Sequence, residues 1–146
     1  MPLFDELKSY LNGKIAEDKD LNMTIGIKEQ YPYGHKPNPP ELLLAIMDNT
    51  ELEIATTFEG ETTANVSLQI IPMANSMNIG GKKYNAQKSC SLLSEKVANW
   101  FDKAVIKESI PKIINTRRVQ WSNSEPYENG TTAYFSILRF NLTVTK

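Results

Sequence analysis

Leu3, Leu7, Tyr10, Leu11 and Ile15 recur at helical spacing, with Asp5, Glu6, Lys8, Asn12 and Lys14 between them. This pattern predicts an amphipathic helix over residues 3–17. Gly13 weakens such a helix by about 1 kcal/mol relative to alanine and marks a candidate early end. From Leu21 the period changes to two. Leu21, Met23, Ile25 and Ile27 alternate with Asn22, Thr24, Gly26 and Lys28, as in a strand with one wet face. Glu29 to Pro40, EQYPYGHKPNPP, then holds four prolines and a glycine. That composition predicts a rigid extended loop presenting Tyr31 and Tyr33.

Three further segments read as a meander. ELLLAIMD (41–48) is a short apolar run suited to a central strand, and ELEIATTF (51–58) alternates, with Asp48-Asn49 suited to the turn between them. TTANVSLQII (62–71) places Ala64, Val66, Leu68 and Ile70 on one face, and Pro72, which has no amide donor, is expected to end that strand. Asn85 suits a helix cap before Ala86, Cys90, Leu93, Val97 and Trp100/Phe101, which predict a helix over 86–102. Beyond Pro111, KIINTRRVQW reads as a strand, SNSEPYENGTT (122–132) as turns, and Tyr134 to Val144 as one long strand. In that strand Tyr134, Ser136, Leu138, Phe140, Leu142 and Val144 share a face. The early part, with Phe135 and Ile137, is apolar on both faces and belongs in the middle of the sheet. The expected fold is α+β in the order α-β-β-β-β-α-β-β, a mainly antiparallel sheet with both helices packed on one face.

Composition narrows the function classes. The chain of 146 residues suits a single domain spanning 1–146, and 40% hydrophobic with 23% charged residues is an ordinary globular balance. A net charge of −1 argues against bulk nucleic acid or an anionic membrane as the main partner. Cys90 is the single cysteine, so a reducing compartment is the simplest expectation. MPLFDELKSYL places Asp5 and Glu6 where a signal peptide needs an apolar run. No segment reaches the roughly 18 apolar residues of a spanning helix. The expectation is a soluble intracellular protein, not secreted by a signal peptide.

Few residues carry chemistry. IIPMANSMNIGGKKYNAQKSC (70–90) invites comparison with a phosphate-binding loop. Aligned on Gly81-Lys82, however, that motif finds Ser76 in place of its first glycine and Lys83 in place of its hydroxyl. A strand-to-helix connector is the better reading. His35 is the only histidine, so neither a two-histidine metal site nor a positioned general base is offered. Cys90 lies on an apolar helical stripe, as a buried inert thiol does. Glu51 and Glu53 alternate on what reads as a solvated strand face. No catalytic residue, cofactor site or metal site is expected. Adjacent Arg117 and Arg118 point to opposite faces of a strand, so they do not form one anion clamp. Tyr31, Tyr33, Trp121 and Tyr127, with His35, Lys82, Lys83, Arg117 and Arg118, are candidates for protein contacts, since aromatics on loops are common interface material.

The layout and several phrases resemble a known family. LFDELKSYL, NMTIGIKE before a proline-rich loop, VSLQIIPMANSMNIGGKKYNAQKSCSLLSEKVANWF and YFSILRFNLTV are similar to the tail terminator proteins of tailed bacteriophages, also called minor capsid or tail completion proteins. The resemblance implies a non-enzymatic virion protein, assembled in the bacterial cytoplasm and resident in the tail of a phage or phage-tail-like particle. Such a protein forms a ring, usually a homo-hexamer, caps the head-proximal end of the tail tube, ends its polymerisation and meets the head-tail connector protein. The partners implied are further copies of itself, tail tube protein and connector protein, with no membrane and no specific nucleic acid. The Tyr31–Pro40, Met73–Tyr84 and Ser122–Thr132 loops are candidate docking elements. A head completion or connector adaptor is the alternative from the same particle. A small-molecule-binding domain or enzyme is the alternative from another class.

Overall fold

A computed structural model of the chain describes residues 2–21, 23–29, 38–48, 56–58, 61–127 and 133–145. The first helix, α1, spans Pro2–Glu17. Its predicted stripe of Leu3, Leu7, Tyr10, Leu11 and Ile15 is buried throughout. Gly13 does not end it.

The main sheet is built around β4 (Glu61–Ala74). On one side β4 pairs antiparallel with β2 (Glu41–Asp48) and, further along, with β3 (Thr56–Phe58). The residues of the expected 51–58 strand before Thr56 lie outside the described residues. Beyond β2 lies β1 (Gly26–Glu29), parallel to it and shorter than the alternation from Leu21 predicts. On its other side β4 pairs with β10 (Leu138–Thr145), which pairs in turn with β7 (Ile113–Trp121). The path across the sheet is β1-β2-β4-β10-β7, antiparallel except for its first pair. The α+β class and the predominantly antiparallel pairing agree with the sequence reading.

Pro72 corrects two expectations. It does not end β4, which runs through it to Ala74. The proline instead interrupts the partner strand. Met73 and Ala74 pair with β9 (Tyr134–Phe135), and the register of that pairing is the one β10 keeps with the rest of β4. Ser136 and Ile137 fall between the two segments. The Ser136 N–H reaches the Pro72 carbonyl at 3.1 Å, but a proline has no N–H to return the second bond of the pair. The expected Tyr134–Val144 strand is therefore one register in two pieces. β8 (Glu125–Pro126) adds a short pairing to β9.

Residues 75–85, expected to be a plain connector, contain a hairpin of β5 (Met77–Ile79) and β6 (Lys82–Tyr84). Gly80 and Gly81 form its turn with φ of +64° and +81°, the twin positive values of a type I′ hairpin turn. Two helices follow. α2 covers Ala86–Trp100, and the Asn85 side chain accepts the Lys88 N–H at 2.8 Å as predicted. α3, Lys103–Ser109, was not expected; Asp102 caps it by accepting the Ala104 N–H at 3.0 Å.

All three helices cover one face of the sheet. The core joins Leu7 and Leu11 of α1, Leu93 and Val97 of α2 and Ile106 of α3 to Leu42, Leu44, Leu68, Ile70, Leu138, Phe140 and Leu142. Phe101 stacks on Phe140 with ring centroids 5.0 Å apart, and Tyr10 meets Phe101 edge-on. The opposite face carries a small cluster of Leu43, Ile71, Met73 and Ala133. Elsewhere it is polar: Arg139 bonds Gln69 at 2.9 Å, and Asn65 accepts from Thr143 at 3.3 Å.

Candidate interaction surface

β7 is the last strand on its side of the sheet, with no partner beyond it among the described residues. Its first residue, Ile113, is buried under α3, but Arg117 through Trp121 are all exposed. Val119 and Trp121, 44% and 41% exposed, are the large hydrophobic residues most open to solvent among those described. An open strand edge presents unpaired backbone groups, and apolar side chains along it favour pairing with another chain.

A bulge shapes this edge. Arg139 is opposite Gln120 and Phe140 is opposite Arg118, so Val119 is an extra residue. Residues three apart in a regular strand face opposite ways. Here the extra residue sets both Arg118 and Trp121 across from core-facing positions, Phe140 and Leu138. The Arg118 guanidinium lies 4.7 Å from the Trp121 ring centroid, a cation–π contact worth about 0.5–1 kcal/mol at an exposed site. Arg117 is opposite Asn141 and belongs to the polar face. No carboxylate among the described residues lies within ion-pair distance of either arginine. From Ser109 to Ser124 the chain holds Lys112, Arg117 and Arg118 and no acidic residue. Among the described residues the edge is thus basic and aromatic, with no carboxylate paired to its arginines.

The other candidates lie elsewhere. Lys82 and Lys83 are exposed on β6, with the Lys82 ammonium 5.5 Å from the Tyr84 ring centroid. Tyr127 is half-buried against the Leu43 and Ile71 cluster. Tyr31, Tyr33 and His35 lie outside the described residues. Of the nine candidates the fold brings Arg118 and Trp121 into contact.

Two features escaped the sequence reading. Val119 is exposed because of the bulge, and strict alternation carries no signal for an inserted residue. Glu41 opens an apolar run but is fully buried, its Oε1 accepting the Asn38 N–H at 3.1 Å and its Oε2 lying 3.6 Å from the Lys28 ammonium. Lys28 is opposite Leu43, so the ion pair depends on the parallel β1–β2 register.

Cys90 is fully buried, with its sulfur 3.6 Å from both the Pro72 carbonyl and the Ser136 hydroxyl. Ser136 continues to Ser124 at 3.1 Å, and Ser124 to Ser91 at 3.0 Å. This chain of hydroxyls ties α2 to the break between β9 and β10 and includes no general base. An open groove of about 680 Å³ separates α1 from the α3–β7 corner, where Lys112 pairs with Glu6 at 2.8 Å. On its wall, burial and the negative charges of Glu17 and Glu108 push the Tyr10 phenol up to about 12. The Tyr10 hydroxyl donates to the Trp100 carbonyl. Among the described residues no group of three or more His, Cys, Asp or Glu side chains is placed to hold a metal ion, and no helix is long and apolar enough to cross a membrane.

No protein-family model matches this chain, and no curated protein is significantly similar to it in sequence.

Proposed function

We propose that this protein is a structural component of a phage tail or tail-like particle. It caps the head-proximal end of the tail tube, ends tube polymerisation and presents a docking surface to the head connector. It works through shape and surface, by self-association and docking, without covalent chemistry. The resemblance of its phrases to tail terminators motivates the reading. The observation that supports it is the β7 edge, which has no outer strand among the described residues and where Val119, Trp121, Arg117 and Arg118 are exposed. An edge of that kind is costly to leave bare in a protein that works alone, because it invites uncontrolled pairing. In a protein that must meet copies and partners it is the working surface.

The test is assembly of purified tail tube protein with and without this chain, imaged by negative-stain electron microscopy. Added protein is expected to sit at one end of each tube and to halt growth from that end. Tubes of unchanged length with bare ends would overturn the reading. Binding to connector protein while ignoring tube ends would replace it with an adaptor role.

A further inference from the structure

β7 carries its two arginines on opposite sides of the sheet. Arg117 is opposite Asn141 on the polar face, and Arg118 is opposite Phe140 on the helix side. Both are exposed, and neither has a carboxylate within ion-pair distance among the described residues. On the helix side the strand borders an open cleft of about 450 Å³, between β7 and the α2–α3 corner. Its walls include the buried Phe101 and Phe140 together with Asn99, Lys103, Asn115 and Arg118. Asp102 also lines the cleft, but its Oδ1 accepts the Ala104 N–H at 3.0 Å. Thr116 is likewise engaged, its hydroxyl donating to the Phe101 carbonyl at 2.7 Å. The cleft therefore sets two exposed cations beside two exposed amide side chains. The backbone of the edge is open as well. Among the described residues β7 pairs with β10 alone. The Ser122 N–H bonds the Ile137 carbonyl at 3.0 Å, just outside the Trp121–Leu138 pair. In an antiparallel ladder this makes Trp121 and Leu138 a pair without mutual bonds, so the Trp121 N–H and carbonyl are directed away from β10.

We propose that the β7 edge binds an extended acidic segment of a partner protein, which adds as an outer strand and sets two adjacent carboxylates on Arg117 and Arg118. Two arginines on opposite faces of a strand cannot grip one phosphate group between them. Consecutive residues of an added strand also point to opposite faces, so a neighbouring pair of Asp or Glu reaches both. The carboxylate on the helix side enters the cleft, where Arg118 and Lys103 supply charge and Asn99 and Asn115 supply amide donors. Apolar residues of the same segment cover Val119 and Trp121. Main-chain bonds to the outer groups of β7 give such a complex its affinity, and the side chains give it selectivity. Edge arginines and a bulge guard a sheet against indiscriminate pairing. Here the same charges reject basic strands and admit an acidic one. A nucleic acid would leave the strand's backbone groups unused and would meet a chain of net charge −1. The inference rests on the proposed function only in taking the β7 edge as the working surface, and it names the chemistry of what that edge meets.

The experiment titrates the full chain into a fluorescein-labelled peptide of about eight β-forming residues, with two adjacent glutamates at its centre, and reads anisotropy at low and high salt. Saturable binding is expected, weakened by salt as exposed charge pairs are screened. The same peptide with lysines in place of the glutamates, or with its backbone amides N-methylated, is expected to bind about tenfold more weakly or worse. Arg117→Glu with Arg118→Glu is expected to lose the glutamate peptide to the same degree and to take the lysine peptide instead. Lys82→Glu with Lys83→Glu leaves binding unchanged. Unaltered melting curves establish that the variants fold. No binding of the glutamate peptide up to about 1 mM overturns the proposal. So does equal binding of the N-methylated peptide, since charge alone then accounts for it. A folded reversal variant of unchanged affinity, or tighter binding of a single-stranded oligonucleotide of equal charge, overturns it too. Capping of tubes by a chain that ignores the peptide overturns this inference and leaves the capping reading standing. Peptide binding by a chain that leaves tubes uncapped does the reverse.

Discussion

The Ser136 N–H points at the Pro72 carbonyl from 3.1 Å, and the Pro72 side returns no hydrogen bond. That single missing donor separates β9 from β10 while the register on either side stays the same. Pro72→Ala supplies the donor. The new bond contributes about 0.5–1.5 kcal/mol, and losing the proline's restriction of the unfolded chain costs about 0.4–1 kcal/mol. Net stability is expected to move by less than about 1 kcal/mol. Hydrogen exchange should show a protected amide at position 72, and rapid exchange there would refute the account of the break.

Glu41 is the buried acceptor that joins β1, β2 and the residues before β2. Glu41→Ala removes the acceptor for Asn38 and the partner of Lys28 together. Lys28 is half-exposed and regains water, so the expected loss is about 1–3 kcal/mol, below that of a fully buried pair. Glu41→Gln keeps an acceptor for the Asn38 amide and should cost less. Urea denaturation of the three proteins checks the order, and equal stability of Ala and Gln variants would contradict it.

Two glycines are expected to respond in opposite directions to alanine. A Cβ at Gly13 meets nothing within 4 Å, in the interior of α1. Gly13→Ala should stabilise by about 0.5–1 kcal/mol and raise the melting temperature. Gly81 also has open space, but its φ is +81°, a conformation that costs an L-residue about 1–2 kcal/mol. Gly81→Ala should lower the melting temperature although no atom clashes.

Tyr10 sets an alkaline limit. Its pKa is raised from 10 to about 12, first by burial and then by the charges of Glu17 and Glu108. The folded state holds the proton more tightly than the unfolded chain. The phenol's contribution is therefore complete below pH 10 and is lost as pH rises from 10 through about 12. Tyr10→Phe should cost about 1 kcal/mol near neutrality, for the lost bond to Trp100. It should also flatten the fall in stability above pH 10. An unchanged alkaline slope in this variant would remove Tyr10 as its cause.

Much of the fold was legible because burial leaves a periodic trace. The α1 stripe, the Asn85 cap and the common face of Ser136, Leu138, Phe140, Leu142 and Val144 follow from local spacing and local hydrogen bonding. α3 escaped notice because it is short, although Asp102 was a serviceable cap signal. The β5–β6 hairpin was present in Gly80-Gly81 but was masked by reading the whole span as a connector.

Local spacing carried the inward stripe of α1, the start of α2 at its Asn85 cap and the mainly antiparallel character of the sheet, since each of these depends on neighbours a few positions away. What Pro72 interrupts, the insertion of Val119 that places Arg118 beside Trp121, and the meeting of Lys28 with Glu41 emerge with the assembled sheet. These depend on register between strands far apart in the chain, and register is fixed by the packing of whole faces against the helices, which no local pattern encodes.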